Sequence, residues 1–209
     1  NNITKWASKN QMMLMSNTNS QYGSSAEIIT EDSPFMPLSL YAQTKCDAEK
    51  RVLESGNGIS LRLATVFGVS YRQRMDLLVN DFAYRAVYDG FVVLFESHFK
   101  RNYVHVRDVT RAFRFAIDNT ELVKGDIFNF GLSEANISKQ ELCEAIKKII
   151  PEFTYLDAPL AKDPDQRNYI VSNSKIESCG FRPLISLDEG LKELVKGLKI
   201  FSHKPFSNI

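Results

Sequence analysis

The stretch from Gln11 to Val66 constrains the fold more than any other, because it reads as strand, hydroxyl-bearing turn, helix and strand in that order. Gln11-Met12-Met13-Leu14-Met15-Ser16 is a short, mostly apolar run of strand length, consistent with a strand buried on both faces. It breaks into Asn17-Thr18-Asn19-Ser20-Gln21-Tyr22-Gly23, a segment with turn chemistry. After a loop containing Pro34 and Pro37, the spacing predicts a helix that carries Tyr41 and Lys45, runs to about Ser55 and stops at Gly56-Asn57-Gly58. Ile59 to Val66 reads as the next strand. In open α/β sheets, ligands bind beyond the carboxyl ends of parallel strands. Thr18, Tyr41 and Lys45 are therefore expected to converge at one edge of a parallel sheet.

Tyr41 and Lys45 lie four residues apart, on one face of a helix, so both side chains can reach one site. A free phenol ionises near pH ~10 and is a poor base at neutral pH, but a neighbouring positive charge favours its charged form and makes proton transfer practical. The spacing is common by chance, so its meaning rests on the unit around it.

The second half continues the alternation. Asp76 to Gly90 has helical periodicity through Leu77, Val79, Phe82, Ala83 and Ala86, and Phe91 to Phe95 reads as a strand. Asp108 to Asn119 reads as a helix with Asp108 as its cap and Val109, Ala112, Phe113 and Ala116 on its buried side. Ser138 with Glu141, and Ser186 with Glu189, are capping-box signatures before two further helices, ending near Ile150 and Lys199. The tail from Phe201 to Ile209 carries no clear signal.

Composition bounds the function classes. A net charge of +1 produces no long-range field that points to nucleic acid or a membrane surface. No apolar run approaches the ~18 residues of a membrane span, and no secretory signal opens the chain. Cys46, Cys143 and Cys179 are odd in number, far apart and without metal-ligand spacing, which suits a reduced, cytoplasmic setting and no bound metal.

Several motifs in order carry a resemblance to a known family. Ser16-Asn17-Thr18-x-x-x-Tyr22-Gly23 followed by Tyr41-x-x-x-Lys45, then Leu61-Arg62-Leu63-Ala64-Thr65-Val66-Phe67-Gly68, Lys100 to Val109, Ile127-Phe128-Asn129-Phe130-Gly131 and Arg167 to Lys175 resemble the extended short-chain dehydrogenase/reductases, the nucleotide-sugar epimerases and dehydratases. The resemblance implies a Rossmann-like doubly wound parallel sheet in residues 1–68, lacking its N-terminal cofactor-binding half, plus a smaller α/β substrate-binding lobe in 69–209 from which 102–131 return to the core sheet. It implies Thr18, Tyr41 and Lys45 as catalytic residues, with Tyr41, Lys45 and Ala64 against NAD, rather than NADP. Thr18, Thr65, Asn80, Arg101 and Arg167 would contact a nucleotide-diphosphate sugar, the two arginines on its phosphates. A homodimer packed through helices that include the Tyr41 helix is also implied.

One expected part is missing from the sequence. No G-x-x-G-x-x-G or G-x-G-x-x-G occurs, although this fold should open with a glycine-rich turn that holds the cofactor pyrophosphate. The resemblance thus implies that roughly a hundred residues of a first nucleotide-binding half are absent, so that this chain alone is inactive and exposes a sheet edge. Residues beside Thr18 bear on the reaction. The family's dehydratases place Asp-Glu directly after the catalytic hydroxyl, its decarboxylases a Glu two positions on and its 3,5-epimerases a Cys there; here the residues are Asn19 and Ser20. The resemblance then implies a 4-epimerase or related sugar ketoreductase. The alternatives are a dehydratase whose acid and base come from other loops, or a non-catalytic nucleotide-binding member. His105 reads as a strand histidine, Cys46 as a packing residue, and Arg72 and Arg74 as solvated loop charges. Val93, Leu94 and Phe95 are apolar enough to accept a nucleobase.

Overall fold

A computed structural model describes residues 2–8, 10–158 and 166–200; the tail from Phe201 lies outside them. The elements, in order, are α1 (Asn2–Trp6), β1 (Met13–Thr18), β2 (Ile28–Ile29), α2 (Leu40–Leu53), β3 (Gly58–Leu63), β4 (Thr65–Phe67), α3 (Leu78–Tyr88), β5 (Phe91–Leu94), β6 (Lys100–His105), α4 (Val106–Asp118), α5 (Thr120–Val123), β7 (Ile127–Phe130), β8 (Asn136–Ser138), α6 (Lys139–Ile149), β9 (Thr154–Asp157), β10 (Ile170–Val171), α7 (Ser174–Ser178) and α8 (Leu187–Ile200). The fold is α/β. β1, β3 and β7 form a parallel sheet in that order, with Thr18 opposite Leu63 and Leu63 opposite Phe130.

The single strand expected over 59–66 is two strands. Ala64 interrupts it, β3 stays with β1 and β7, and β4 turns aside to pair in parallel with β6, whose far edge takes β8 antiparallel. The backbone bond from Ala64 N to Phe130 O, 2.8 Å long, keeps the break anchored to the first sheet. β6 consequently faces two cores. Tyr103 packs with Phe67, Val79, Phe82, Leu142 and Leu194, whereas the next residue, Val104, packs with Ile59, Leu61, Ala112, Phe128 and Phe130. That is the alternation of a strand with apolar cover on both faces.

Helix starts follow their caps. Ser39 Oγ accepts from Ala42 N at 3.2 Å to open α2, and Gly56 at φ +80 follows its end. Ser138 and Glu141 make the reciprocal capping box before α6, and Ser186 and Glu189 repeat it before α8. Two helix starts differ from expectation. α3 begins at Leu78 rather than Asp76, because the Asp76 carboxylate is taken by Arg74. α4 is capped by His105, whose Nδ1 accepts from Arg107 N at 3.3 Å, and not by Asp108. Asp108 is fully buried and instead accepts from Leu184 N, Ile185 N and Arg111 Nη1, clamping the chain ahead of α8. A polar side chain on an amphipathic helix looks the same in sequence whether it caps or clamps.

The Phe-Gly step at the end of β7 has a steric reason. A Cβ on Gly131 would lie 1.5 Å from Asn102 Oδ1, and Asn102 needs that place to donate from Nδ2 to Leu132 O at 2.8 Å. β1 is an edge of its sheet among the described residues. Beside it, α1 leaves Trp6 87% exposed. No helix among the described residues is long and apolar enough to cross a membrane.

Candidate active site

Beyond the carboxyl ends of β1 and β3, and beside the start of β4, lies a cleft of about 1250 Å³, lined among others by Thr18, Tyr41, Lys45, Ala64, Thr65, Arg101 and Arg167. Seven of the eight site residues expected from the sequence therefore border one space, although they come from five separate segments. Parallel strands end on the same side of a sheet, and that places their following turns together.

α2 has two working faces. Ala42, Cys46 and Glu49 point inward and are buried, which is the packing role expected of Cys46. Tyr41, 57% exposed, and half-buried Lys45 point to the cleft. Lys45 Nζ donates to Ser16 O at 2.8 Å and lies 5.9 Å from the centre of the Tyr41 ring. Burial pushes the Lys45 ammonium below its ordinary range, since removing water disfavours the charged form. Helix and strand thus hold an ammonium beside a phenol before any ligand is present.

The Thr18 turn is anchored from below. Asn17 Oδ1 accepts from Thr18 N at 2.9 Å, and Asn17 Nδ2 donates to Glu49 Oε2 at 2.6 Å and Ser60 Oγ at 3.3 Å. Glu49 in turn receives Nη2 of Arg62 at 2.6 Å, a pair only 2% exposed on each side. Arg62 Nη1 donates to the Tyr22 hydroxyl at 2.5 Å and to Glu31 O at 3.0 Å, and the Tyr22 hydroxyl donates to Asn129 Oδ1 at 2.6 Å. Burial raises the Tyr22 pKa to about 12 despite the arginine beside it. A buried ion pair persists where further hydrogen bonds satisfy both partners, as they do here. Nothing in the spacing of Glu49, Arg62 and Tyr22 reveals this network, because its members come from a helix, a strand and a turn.

Where β6 borders the cleft, the lining is basic. Arg101 is buried, donates to Lys100 O at 3.0 Å and stacks 5.5 Å from the Tyr169 ring centre. Arg167 donates from Nη1 to Ser20 Oγ. Lys139, also lining this end, donates to Phe95 O at 2.7 Å. Lys139 and Tyr169 were not singled out from the sequence; Lys139 immediately follows the Ser138 cap and Tyr169 lies two after Arg167, the only local signals of either.

Several residues singled out from the sequence lie elsewhere or are held differently. Asn80 does not line the cleft: its Oδ1 accepts from Gly68 N at 3.2 Å and its Nδ2 donates to Arg74 O at 2.8 Å, so it holds the loop between β4 and α3. Arg74, a loop charge that could also fringe the cleft, does border it while staying part-exposed, forked onto Asp76 with contacts of 2.7 and 2.5 Å. Val93, Leu94 and Phe95 are absent from the cleft lining, and Leu94 belongs to the core of α3 and α6. His105 lies outside the cleft, edge-on to Phe67, and burial pushes its imidazole below the ordinary range. No group of His, Cys, Asp and Glu that could hold a metal occurs among the described residues.

Comparison with known proteins bears on the fold and the family. A curated relative, dTDP-4-dehydro-6-deoxyglucose reductase of Escherichia coli, is 27% identical over 199 residues, covering 85% of this chain and 58% of its own length. The structure of dTDP-glucose 4,6-dehydratase from Bacillus anthracis, solved with NAD, superposes with a TM-score of 0.79 at 20% identity, covering 96% of this chain and 64% of that one. UDP-glucose 4-epimerase from Thermus thermophilus, also with NAD, gives 0.77 at 24% identity over 90% of this chain and 64% of that one. The chain thus spans about three-fifths of the length of the relatives it matches. The model of the NAD dependent epimerase/dehydratase family matches residues 1–131, from the first helix through β7 and Gly131, and on that match, together with the shared fold, the chain belongs to this family.

Proposed function

We propose that this chain is the catalytic and substrate-binding portion of an NAD-dependent nucleotide-sugar 4-epimerase or a closely related sugar ketoreductase. The observation that carries the reading is one cleft bordered both by Thr18, Tyr41 and Lys45 and by Arg101 and Arg167. The first group suits proton transfer at a sugar hydroxyl, the second a diphosphate. Family membership supports NAD-dependent chemistry on a nucleotide sugar in general, with a reductase, an epimerase and a dehydratase among the relatives.

Tyr41, as phenolate, takes the proton from a sugar hydroxyl and returns it after the ring has presented its other face. Lys45 supplies the neighbouring positive charge and donors for ribose hydroxyls, a task for which its fixed place beside Ser16 O prepares it. Thr18 hydrogen-bonds the reacting oxygen as it becomes a carbonyl, and donors aimed at developing charge are effective because they need no reorganisation. Bound NAD supplies the exchange of hydride with the sugar carbon. Tyr41, Lys45 and Ala64 would hold its nicotinamide end, and this fit extends only so far, since the sequence contains no glycine-rich turn for the pyrophosphate.

A dehydratase needs a second acid and base. Among the described residues, the carboxylates lining the cleft are Asp76 and Asp81, paired to Arg74 and Arg85, and Arg74 holds Asp76 below the usual carboxylate range. Asp76 held in this way is a poor proton donor near neutral pH, which favours the shorter reaction. A cytoplasmic homodimer completes the reading; exposed Leu38 and Leu40 at the start of α2 provide apolar surface for such packing.

The test is an assay of the full-length protein for bound NAD and for conversion across a panel of nucleotide sugars. Conversion to the 4-epimer or reduction of a 4-keto sugar is expected, with a loss of at least tenfold in Tyr41→Phe. A 4-keto-6-deoxy product would select the dehydratase, and turnover in Tyr41→Phe within tenfold of wild type would sink the mechanism.

A further inference from the structure

The Ser20 hydroxyl touches both ends of the cleft's chemistry. Its oxygen accepts from Thr18 Oγ1 at 3.0 Å and from Arg167 Nη1, while Ser20 N donates to Thr18 Oγ1 at 3.1 Å. Ser20 is buried and lines the cleft. The arginine reaches it along a segment held on both sides. Asn168 N donates to Ser24 Oγ at 3.1 Å and Ser25 N to Asn168 O at 3.0 Å. Across the segment, Lys100 N donates to Asn168 Oδ1 at 2.9 Å and Tyr169 N to Lys100 O at 3.3 Å. Backbone pinned to both the turn and β6 gives the Arg167 side chain a fixed origin.

The donor inventory sets what this contact can do. A guanidinium only donates and keeps its charge, and a serine hydroxyl has one proton and two lone pairs. Arg167 therefore fills one lone pair of Ser20. The remaining lone pair and the proton are shared with Thr18, and two hydroxyls in contact exchange donor and acceptor roles by rotation. With Thr18 donating, its proton is held inside its own turn. With the roles reversed, hydrogen bonds run from Arg167 to Ser20 to Thr18, and the Thr18 proton is free to enter the cleft. A chain that begins at a cation polarises every member in that one direction.

We infer that Ser20 is a positioning residue that joins Arg167 to Thr18, so that the anionic group held by the arginine and the sugar oxygen met by the threonine are sensed through one hydrogen-bond chain. The inference rests on the function proposed above and adds to it a coupling between two subsites. Ser20 then matters to turnover more than to binding, because the free protein already satisfies its hydroxyl.

The test uses steady-state kinetics of the full-length protein with Ser20→Ala, Ser20→Thr, Arg167→Ala, the Ser20→Ala/Arg167→Ala double variant and Tyr41→Phe. Ser20→Ala is expected to lower kcat about tenfold, the ~1.4 kcal/mol of one hydrogen bond to a charged chain, with KM within about twofold. Ser20→Thr, which keeps the hydroxyl, should recover kcat to within about threefold. The double variant should have the kcat of Arg167→Ala alone, since the chain is cut once. A kcat for Ser20→Ala within twofold of wild type, or effects that multiply in the double variant, overturns the chain. If Ser20→Ala does not fold, Ser20→Cys, close in size and a weak donor, replaces it with the same expectations. Loss of turnover in Tyr41→Phe with Ser20→Ala unaffected removes the chain alone; full turnover in Tyr41→Phe removes the proposed function and the chain with it.

Discussion

The two faces of α2 make opposite use of charge. On the inner face, Glu49 and Arg62 are both 2% exposed and every neighbour, Asn17, Ser60, Tyr22 and Glu31, is spent on satisfying them. On the outer face, Lys45 has one backbone acceptor and Tyr41 is open to the cleft. Charges buried together lock a geometry, and their loss is felt as stability. Charges left at a water-filled cleft can be spent on a ligand, and their loss is felt as activity. The inner face holds the Thr18 turn in place through Asn17, so the second arrangement depends on the first.

The largest expected effect breaks the inner side. Glu49→Ala leaves the Arg62 guanidinium buried without its partner and should cost about 3–5 kcal/mol, read as a fall in the urea midpoint; a change below about 1 kcal/mol would mean that water reaches the pair. The opposite substitution, Lys45→Met, should reduce turnover of the full-length protein roughly a hundredfold, about 2.7 kcal/mol, while leaving the melting temperature within about 2 °C. A melting temperature lowered as far as in Glu49→Ala would erase the distinction between the faces.

Tyr22 sharpens it through pH. Its phenol has a folded pKa of about 12, above the ordinary value near ~10, so the folded state holds the proton that the unfolded chain releases. Its stabilising contribution is complete below pH ~10 and is lost as pH rises from there toward about 12, amounting to roughly 2–3 kcal/mol. Denaturant titrations of wild type and Tyr22→Phe across that window should diverge, and parallel curves would place the phenol in water. The smallest effect belongs to neither face: Ser138→Ala removes the α6 cap and should cost about 1 kcal/mol with turnover unchanged.

Local signals carried far in this chain. Both capping boxes, the α2 stop at Gly56 and the apolar runs of β1 and β3 are present in sequence as they are in structure, because each depends on residues within one turn or one strand. The error at Asp108 has the same root: an aspartate in a first helical turn reads as a cap, and its true partners, Leu184 and Ile185, lie some seventy residues on. Asn80 shows the same limit, since a side chain that ties a loop and one that meets a ligand differ only in direction.

By itself the sequence determined the order of strands and helices, the Tyr41 and Lys45 spacing and the family motifs, all properties of neighbouring residues whose geometry the backbone repeats dictate. Only the tertiary structure decided that the strand after Gly58 divides at Ala64, that Glu49 meets Arg62 in the interior, and that Ser20 stands between Thr18 and Arg167. Those outcomes depend on which segments pack together and on where water is excluded, and hydrogen-bond partners distant in sequence are chosen only once that exclusion makes leaving them unpaired costly.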